Sequence, residues 1–266
     1  MKRILLLSGT GEGPLLARAL VAAGFQVCAT VTRAEAKDNL FGALLGQPSS
    51  LSVEARGFSE QSLTAFLGDG ETDLVLDATH PFAVRITRIA KSVCESIRMP
   101  YIRYERPDWT PPAGTHFAAS YTEAAAVLPS LGCRPLLTIG AKQLKHFVPL
   151  HGRLALFARI LPSPLSLRQA VEAGFTEENL LRLRPPFSVE RNRELFRQYN
   201  VDVLVTKASG REGGVVEKVT AARELAMKVL MIRRPEPIDP RSAISIDEAV
   251  CACRAVFDGA AGPSGE

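Results

Sequence analysis

The sequence lacks the features that would mark a membrane, secreted or metal-stapled protein. No stretch approaches the roughly 20 uncharged apolar residues that cross a bilayer. Met1-Lys2-Arg3-Ile4-Leu5-Leu6-Leu7 has the basic start and apolar run of a signal peptide, but the run stops at Ser8 and gives way to glycines, so a buried strand is the better reading. The five cysteines (Cys28, Cys94, Cys133, Cys251, Cys253) are odd in number and scattered, with no CxxC pair. That spacing argues against a disulfide framework and a zinc site and for a reducing, cytoplasmic setting. Cys251 and Cys253 fall on an expected helix, where i and i+2 side chains point apart, so no shared metal is expected. Aromatic residues make up only 6% of the chain, too few for a base-stacking platform, and the arginines are interleaved with apolar residues instead of forming a dense basic run. Neither nucleic acid nor a membrane is expected as a partner.

What the chain has is a core. It is 46% hydrophobic over 266 residues, drawn mainly from Leu, Val, Ala and Ile, and exceeds the usual size of one domain. Charge is uneven: residues 1–130 carry 12 Lys+Arg against 13 Asp+Glu, and residues 131–266 carry 20 against 15. A basic second half suits an anionic small molecule.

Short apolar runs alternate with segments of helical period, the pattern of a parallel sheet wrapped by helices. In the first half, strands are expected at Arg3–Leu7, Gln26–Val31, Ser52–Ala55, Asp73–Ala78 and Tyr101–Arg103, with helices at Gly13–Ala23, Ser59–Leu67 and Pro81–Ile97. Arg106–Gly114 holds three prolines and a glycine and reads as an exposed connection. Strands resume at Pro135–Ile139, Arg153–Ile160, Leu180–Arg184, Val201–Thr206 and Val229–Ile232, with helices at Ser188–Tyr199, Gly214–Ala226 and Ile246–Phe257. The expected division is an α/β domain over 1–115, a second over 116–258 and a disordered tail over 259–266.

Two strand ends carry chemistry. Ser8-Gly9-Thr10-Gly11-Glu12-Gly13 sits between an apolar strand and an amphipathic helix, where glycines let the backbone approach a pyrophosphate that the helix N-terminus attracts. Pro14 stands where the usual dinucleotide fingerprint has a small residue; proline is acceptable in a first helical turn. The second strand ends Thr32-Arg33 with no acid before Glu35, which favours a 2′-phosphate, and so NADPH, with NADH as the alternative; Arg33 could instead simply solvate a strand end. Asp77-Ala78-Thr79-His80-Pro81 follows the strand Leu74-Val75-Leu76, a polar cluster at a position where α/β sheets bind ligands. Lys207-Ala208-Ser209-Gly210-Arg211-Glu212-Gly213-Gly214 repeats the strand, glycine loop, helix arrangement, with Thr138-Ile139-Gly140 expected to face it across a cleft.

Ser8–Gly13, Asp77–Ala83, Thr138–Gly140, Arg159–Pro162 and Lys207–Gly214 occur in this order and together resemble the precorrin-6A reductase (CobK/CbiJ) family of the cobalamin pathway, over about residues 3 to 235. The family's turn reads Gly-Gly-Thr-x-Glu-Gly, and Ser8 here replaces its first glycine. The resemblance implies two Rossmann-like domains with mostly parallel sheets and a cleft between them. It also implies NAD(P)H-dependent hydride transfer to a ring double bond of precorrin-6A, or its cobalt form, giving precorrin-6B. Cofactor contacts would then come from Ser8, Gly9, Thr10, Gly11, Glu12, Gly13, Thr32, Arg33 and Thr79. The substrate's rim of acetates and propionates would meet Arg159, Lys207, Ser209, Gly210, Arg211 and Arg234, since arginine pairs carboxylates bidentately. Asp77, His80 and Lys207 are the catalytic candidates, the proton coming from His80, Lys207 or solvent. Other cobalamin-pathway enzymes are candidate partners. Two other readings stand beside this one, an NADPH-binding regulator without chemistry and a cofactor-free tetrapyrrole synthase of two Rossmann-like domains.

Overall fold

The structure, a computed structural model, describes residues 1–44 and 49–258, the side chain of Glu212 excepted. The tail expected to be disordered, 259–266, lies outside them. The chain divides into two compact units, 1–107 with 236–266, and 108–235.

The first unit runs β1 (Arg3–Leu7), α1 (Glu12–Ala22), β2 (Gln26–Val31), α2 (Ala34–Phe41), β3 (Leu51–Ala55), α3 (Glu60–Gly68), β4 (Leu74–Asp77), α4 (Val84–Ser96) and β5 (Tyr101–Arg103). Its sheet is parallel in the order β3-β2-β1-β4-β5. Apolar residues stand on both faces of β1. Ile4 and Leu6 pack with Leu16 and Leu20 of α1, while Leu5 and Leu7 pack with Leu63 and Leu67 of α3 and with Val93 of α4. Burial on both faces is why these strands read as unbroken apolar runs.

The second unit runs β6 (His116–Ala118), α5 (Tyr121–Val127), β7 (Pro135–Leu137), a 3-10 stretch over Ala141–Leu150, β8 (Phe157–Ile160), α6 (Pro164–Glu172), β9 (Leu180–Arg182), α7 (Val189–Gln198), β10 (Val203–Lys207), α8 (Val215–Glu224) and β11 (Lys228–Ile232). Its parallel sheet is ordered β6-β11-β10-β7-β8-β9. Leu136, Leu204, Val229 and Met231 meet Leu195 and Phe196 of α7 and Val215, Val219 and Ala222 of α8.

The last helix, α9 (Ile246–Asp258), corrects the expected division. It belongs to the first unit, not the second: Ala249 and Cys253 are buried in the cluster that holds Leu16 and Leu20, and the rings of Phe257 and Phe25 lie 5.6 Å apart. Ala243 forms a bridge with Tyr104 just before it. The connection is also less exposed than its prolines suggest, since Arg106 is buried and Trp109 packs on the second unit's core.

Expected Arg153–Ile160 shortens to Phe157–Ile160 because a turn donates the amides of Arg153 and Leu154 to the carbonyl of Leu150. Expected Pro81–Ile97 begins at Val84, since the Phe82 amide donates to His80 Nδ1 (3.1 Å) and the Ala83 amide to the His80 carbonyl (2.7 Å). The helices α2, α5 and α6, the strand β6 and the 3-10 stretch Ala141–Leu150 were not anticipated; α6 is nonetheless capped by Ser163, whose hydroxyl accepts the Ser166 amide at 3.2 Å, with Pro164 opening it.

Candidate active site

In each sheet the chain winds outward from one strand and then restarts on that strand's other side, and loops at such a switch point leave a ligand-sized crevice at the strand C-termini. In the first unit the switch lies between β1 and β4. Leu7 is in register with Asp77, and the Ala78 amide donates to the Leu7 carbonyl at 2.9 Å. The glycine turn and the Asp77–His80 segment, 70 residues apart in sequence, therefore leave the sheet side by side.

The turn is built for close approach. Gly13 has no alternative: a Cβ there would overlap the Ser8 hydroxyl. Gly11 caps α1 without a side-chain hydrogen bond, and Ser8 Oγ is buried with no hydrogen-bond partner among the described residues. Glu12, expected to touch the cofactor, is instead buried against Arg106, which bonds it through both Nε and Nη2, the latter at 2.7 Å. Burial pushes the Glu12 carboxyl up, but the Arg106 hydrogen bond and charge outweigh it, with help from Thr10, and hold it below the usual carboxylate range. The pair ties the turn to the segment that follows β5 and neutralises an acid that would repel a phosphate.

Asp77 is likewise committed. It is fully buried, with Oδ1 accepting from Arg103 Nη1 (2.7 Å), the Thr79 amide (2.9 Å) and the Thr79 hydroxyl (2.7 Å), and Oδ2 from the Tyr101 hydroxyl (2.9 Å). Arg103 reaches on to the Thr79 carbonyl and hydroxyl, both at 3.1 Å. Burial, reinforced by Asp77, drives the Tyr101 phenol far above its ordinary value, so it stays a donor. These bonds place Asp77 and Thr79 behind the loop that presents His80. In neutral His80, Nδ1 accepts from the Phe82 amide, which leaves the proton on Nε2. Thr32 and Arg33 are exposed between β2 and α2.

In the second unit the switch falls between β7 and β10. The amide and hydroxyl of Thr138 both donate to the Val205 carbonyl, at 2.8 and 2.9 Å. Thr138–Gly140 is thus the lateral neighbour of Lys207–Gly214 in one sheet, not its counterpart across a cleft. Gly210 (φ 81°) and Gly214 (φ 65°) adopt the left-handed region that favours glycine, and Gly214 opens α8 without a side-chain cap. Ser209 is buried and Arg211 exposed. Arg159 lies 4.0 Å over the Phe187 ring, with Nη1 donating to Asn192 Oδ1 at 2.8 Å. Burial lowers it only to about 10, so it remains a cation. Arg234 Nε meets the Ala208 carbonyl (3.1 Å) and Asp108 (3.2 Å), bracing the loop from behind.

Three residues at these sites escaped the sequence reading: Arg103, Arg106 and Lys218. The arginines pair with acids 26 and 94 positions away, which no local pattern reveals. Lys218 was detectable, since it stands on the apolar stripe of α8 between Val215 and Ala222. Among the described residues no three His, Cys, Asp or Glu side chains group as metal ligands, and no helix is long and apolar enough to cross a membrane.

The family model for precorrin-6x reductase CbiJ/CobK matches residues 3–254. The cobalt-precorrin-6A reductase of Synechocystis sp. is 36% identical over 236 residues, 88% of each chain. The precorrin-6A reductase of Rhodococcus erythropolis is 38% identical over 254 residues, 94% of this chain and 95% of that one. A solved structure titled CobK precorrin-6A reductase superposes with a TM-score of 0.75 at 26% identity, covering 100% of both chains. The family's activity is a reduction that calls for a nicotinamide cofactor, and the uncapped, acid-neutralised turn after β1 fits such a group. The chain belongs to the precorrin-6x reductase family, CbiJ/CobK.

Proposed function

We propose that this chain reduces precorrin-6A, or its cobalt form, to the precorrin-6B level with NADPH. The observation that carries the reading is the switch point of the first unit, where Ser8–Gly13 and Asp77–His80 emerge together on strands that pair directly. Backbone of Ser8, Gly9, Thr10, Gly11 and Gly13 would hold the pyrophosphate at the start of α1, with the Ser8 hydroxyl as an added donor. Glu12 acts through Arg106 to shape that turn. Arg33 and Thr32 suit a 2′-phosphate, the basis for preferring NADPH over NADH.

Bound there, the cofactor supplies a hydride. The chain's own work is to position the acceptor, screen water and furnish a proton. Asp77, Arg103 and Thr79 fix the loop that carries His80, and His80 Nε2–H is the proton we assign to the reaction; Lys207 is the second candidate. Arg159, Lys207, Ser209, Gly210 and Arg211 receive the substrate's carboxylates, while Arg234 holds the loop in place.

Anaerobic turnover of precorrin-6A followed by nicotinamide absorbance tests the proposal, with NADPH and NADH compared. Oxidation that requires precorrin-6A and prefers NADPH is expected. Cofactor binding without oxidation would favour a regulator, and no cofactor binding a synthase.

A further inference from the structure

The apolar stripe of α7 runs through Val189, Leu195, Phe196 and Tyr199, and Asn192 stands in the middle of it, 1% exposed. An apolar residue would suit both the packing and the helix better, so a buried carboxamide there needs a reason. Its hydrogen bonds supply one. Nδ2 donates to the carbonyls of Phe187 (3.3 Å) and Ser188 (2.8 Å), and Oδ1 accepts from Arg159 Nη1 at 2.8 Å. With two carbonyls on its nitrogen side the carboxamide has one orientation, and its oxygen faces Arg159. Phe187, whose carbonyl it holds, sets its ring 4.0 Å from the Arg159 guanidinium carbon. The guanidinium is thus gripped on one face by a ring and at one nitrogen by an amide. Arg159 lies one residue from the C-terminal end of β8, the end at which such sheets receive ligands.

What the amide does not supply is charge. The acids of α7, Glu190 and Glu194, are on its exposed side, and burial alone lowers Arg159, with no carboxylate acting on it. Its Nε and Nη2 hold no hydrogen bond among the described residues, and neither is a buried atom without a partner, so that edge of the guanidinium reaches solvent. It is an edge that can grip a carboxylate through two parallel bonds. We propose that Asn192 is a positioning residue for the substrate: together with Phe187 it fixes Arg159 so that the Nε and Nη2 edge meets a substrate carboxylate, and it does so without cancelling the charge. The inference rests on the substrate contact assigned to Arg159 above. An aspartate could hold Nη1 as well, but it would neutralise the cation within the protein. A neutral acceptor orients the guanidinium and leaves its charge to the ligand.

The test is anaerobic precorrin-6A kinetics on the full chain at saturating NADPH, together with NADPH affinity and thermal unfolding. Asn192→Ala should raise KM for precorrin-6A by roughly five- to tenfold, the cost of ordering a freed arginine on binding. Its kcat and NADPH Kd should stay within about twofold of wild type, the mark of lost uniform binding. In the Arg159→Met background the same change should leave KM where Arg159→Met alone puts it. Its effect on Tm should persist in both backgrounds, because the bonds to Phe187 and Ser188 are lost in each. An asparagine with a merely structural role would raise KM by the same factor with or without Arg159. Asn192→Asp, which keeps the volume and the acceptor but adds the counter-charge, should raise KM at least as far as Asn192→Ala. Either variant with a KM within about twofold of wild type, or equal rises in the two backgrounds, would overturn the proposal. A wild type that leaves precorrin-6A unreduced would overturn it differently, by removing the substrate on which it rests, whereas normal wild-type turnover beside those variant results defeats the proposal alone.

Discussion

Replacing Arg106 with methionine leaves the Glu12 carboxylate buried at the glycine turn with its counter-charge gone. Both side chains are nearly inaccessible, at 7% and 5%, so the loss is that of a buried pair with one partner removed, about 3–5 kcal/mol. The helix dipole gives no relief, because Glu12 is the first residue of α1 in the wild type and the variant alike. A loss of about 3–5 kcal/mol stands, which at roughly 2–4 °C per kcal/mol for a long chain lowers Tm by roughly 6–20 °C. Adding Glu12→Gln should return most of it, because the double variant buries no charge. The pH dependence carries a sign. In the wild type the depressed Glu12 carboxyl contributes stability that is complete above its ordinary value near 4.5 and is lost as pH falls below it. In Arg106→Met, burial without Arg106 raises that carboxyl, so the variant's deficit narrows as the solution is acidified from pH 7 toward 5. Scanning calorimetry of the two single variants and the double variant, at pH 7 and pH 5, checks this. A loss below about 1 kcal/mol, or a double variant no more stable than Arg106→Met, would refute the account.

Other outcomes follow from the same geometry. Gly13→Ala should abolish NADPH binding because its methyl group overlaps the Ser8 hydroxyl, and Ser8→Gly in the same chain should restore a measurable Kd by fluorescence titration. Arg33→Ala should weaken NADPH by about tenfold, the lower end of a charge-assisted contact, and leave NADH within twofold; equal effects on both would remove the case for a 2′-phosphate contact. His80→Ala should cut kcat by about 10²–10⁴-fold, the range for loss of a general acid, with NADPH affinity unchanged, and an unaltered kcat would shift the proton's source to Lys207 or solvent. Asp77→Ala leaves Arg103 its second carboxylate, Glu105 at 3.1 Å, but orphans the Tyr101 hydroxyl, and should cost about 1–3 kcal/mol by urea denaturation; a loss confined to kcat would instead make Asp77 a participant in the chemistry.

What the sequence shows of this protein and what it hides differ in range. The glycine turn, the Asp77 segment and the Lys207 loop were legible because each is a strand, a punctuating loop and a helix in succession, and their chemistry sits where one strand ends. Their grouping was not. Which strand ends meet depends on sheet order, and β1 beside β4 or β7 beside β10 follows from packing across the whole unit. Thr138 shows the cost: its motif was found, but its place beside β10 was not. The return of α9 to the first unit was hidden for a related reason, since an apolar stripe says that a helix is covered without saying by what. Buried acids are the exception that reasoning can exploit. Glu12 in the first turn of an apolar helix and Asp77 at the end of an all-apolar strand each demand a cation, because a carboxylate at those positions cannot stay unpaired. Arg103, which ends β5, and Arg106, on the segment that follows it, are those cations. Lys218 poses the same demand with the sign reversed on the apolar stripe of α8, and there the carboxylate that favours its charged form is its own neighbour, Glu217.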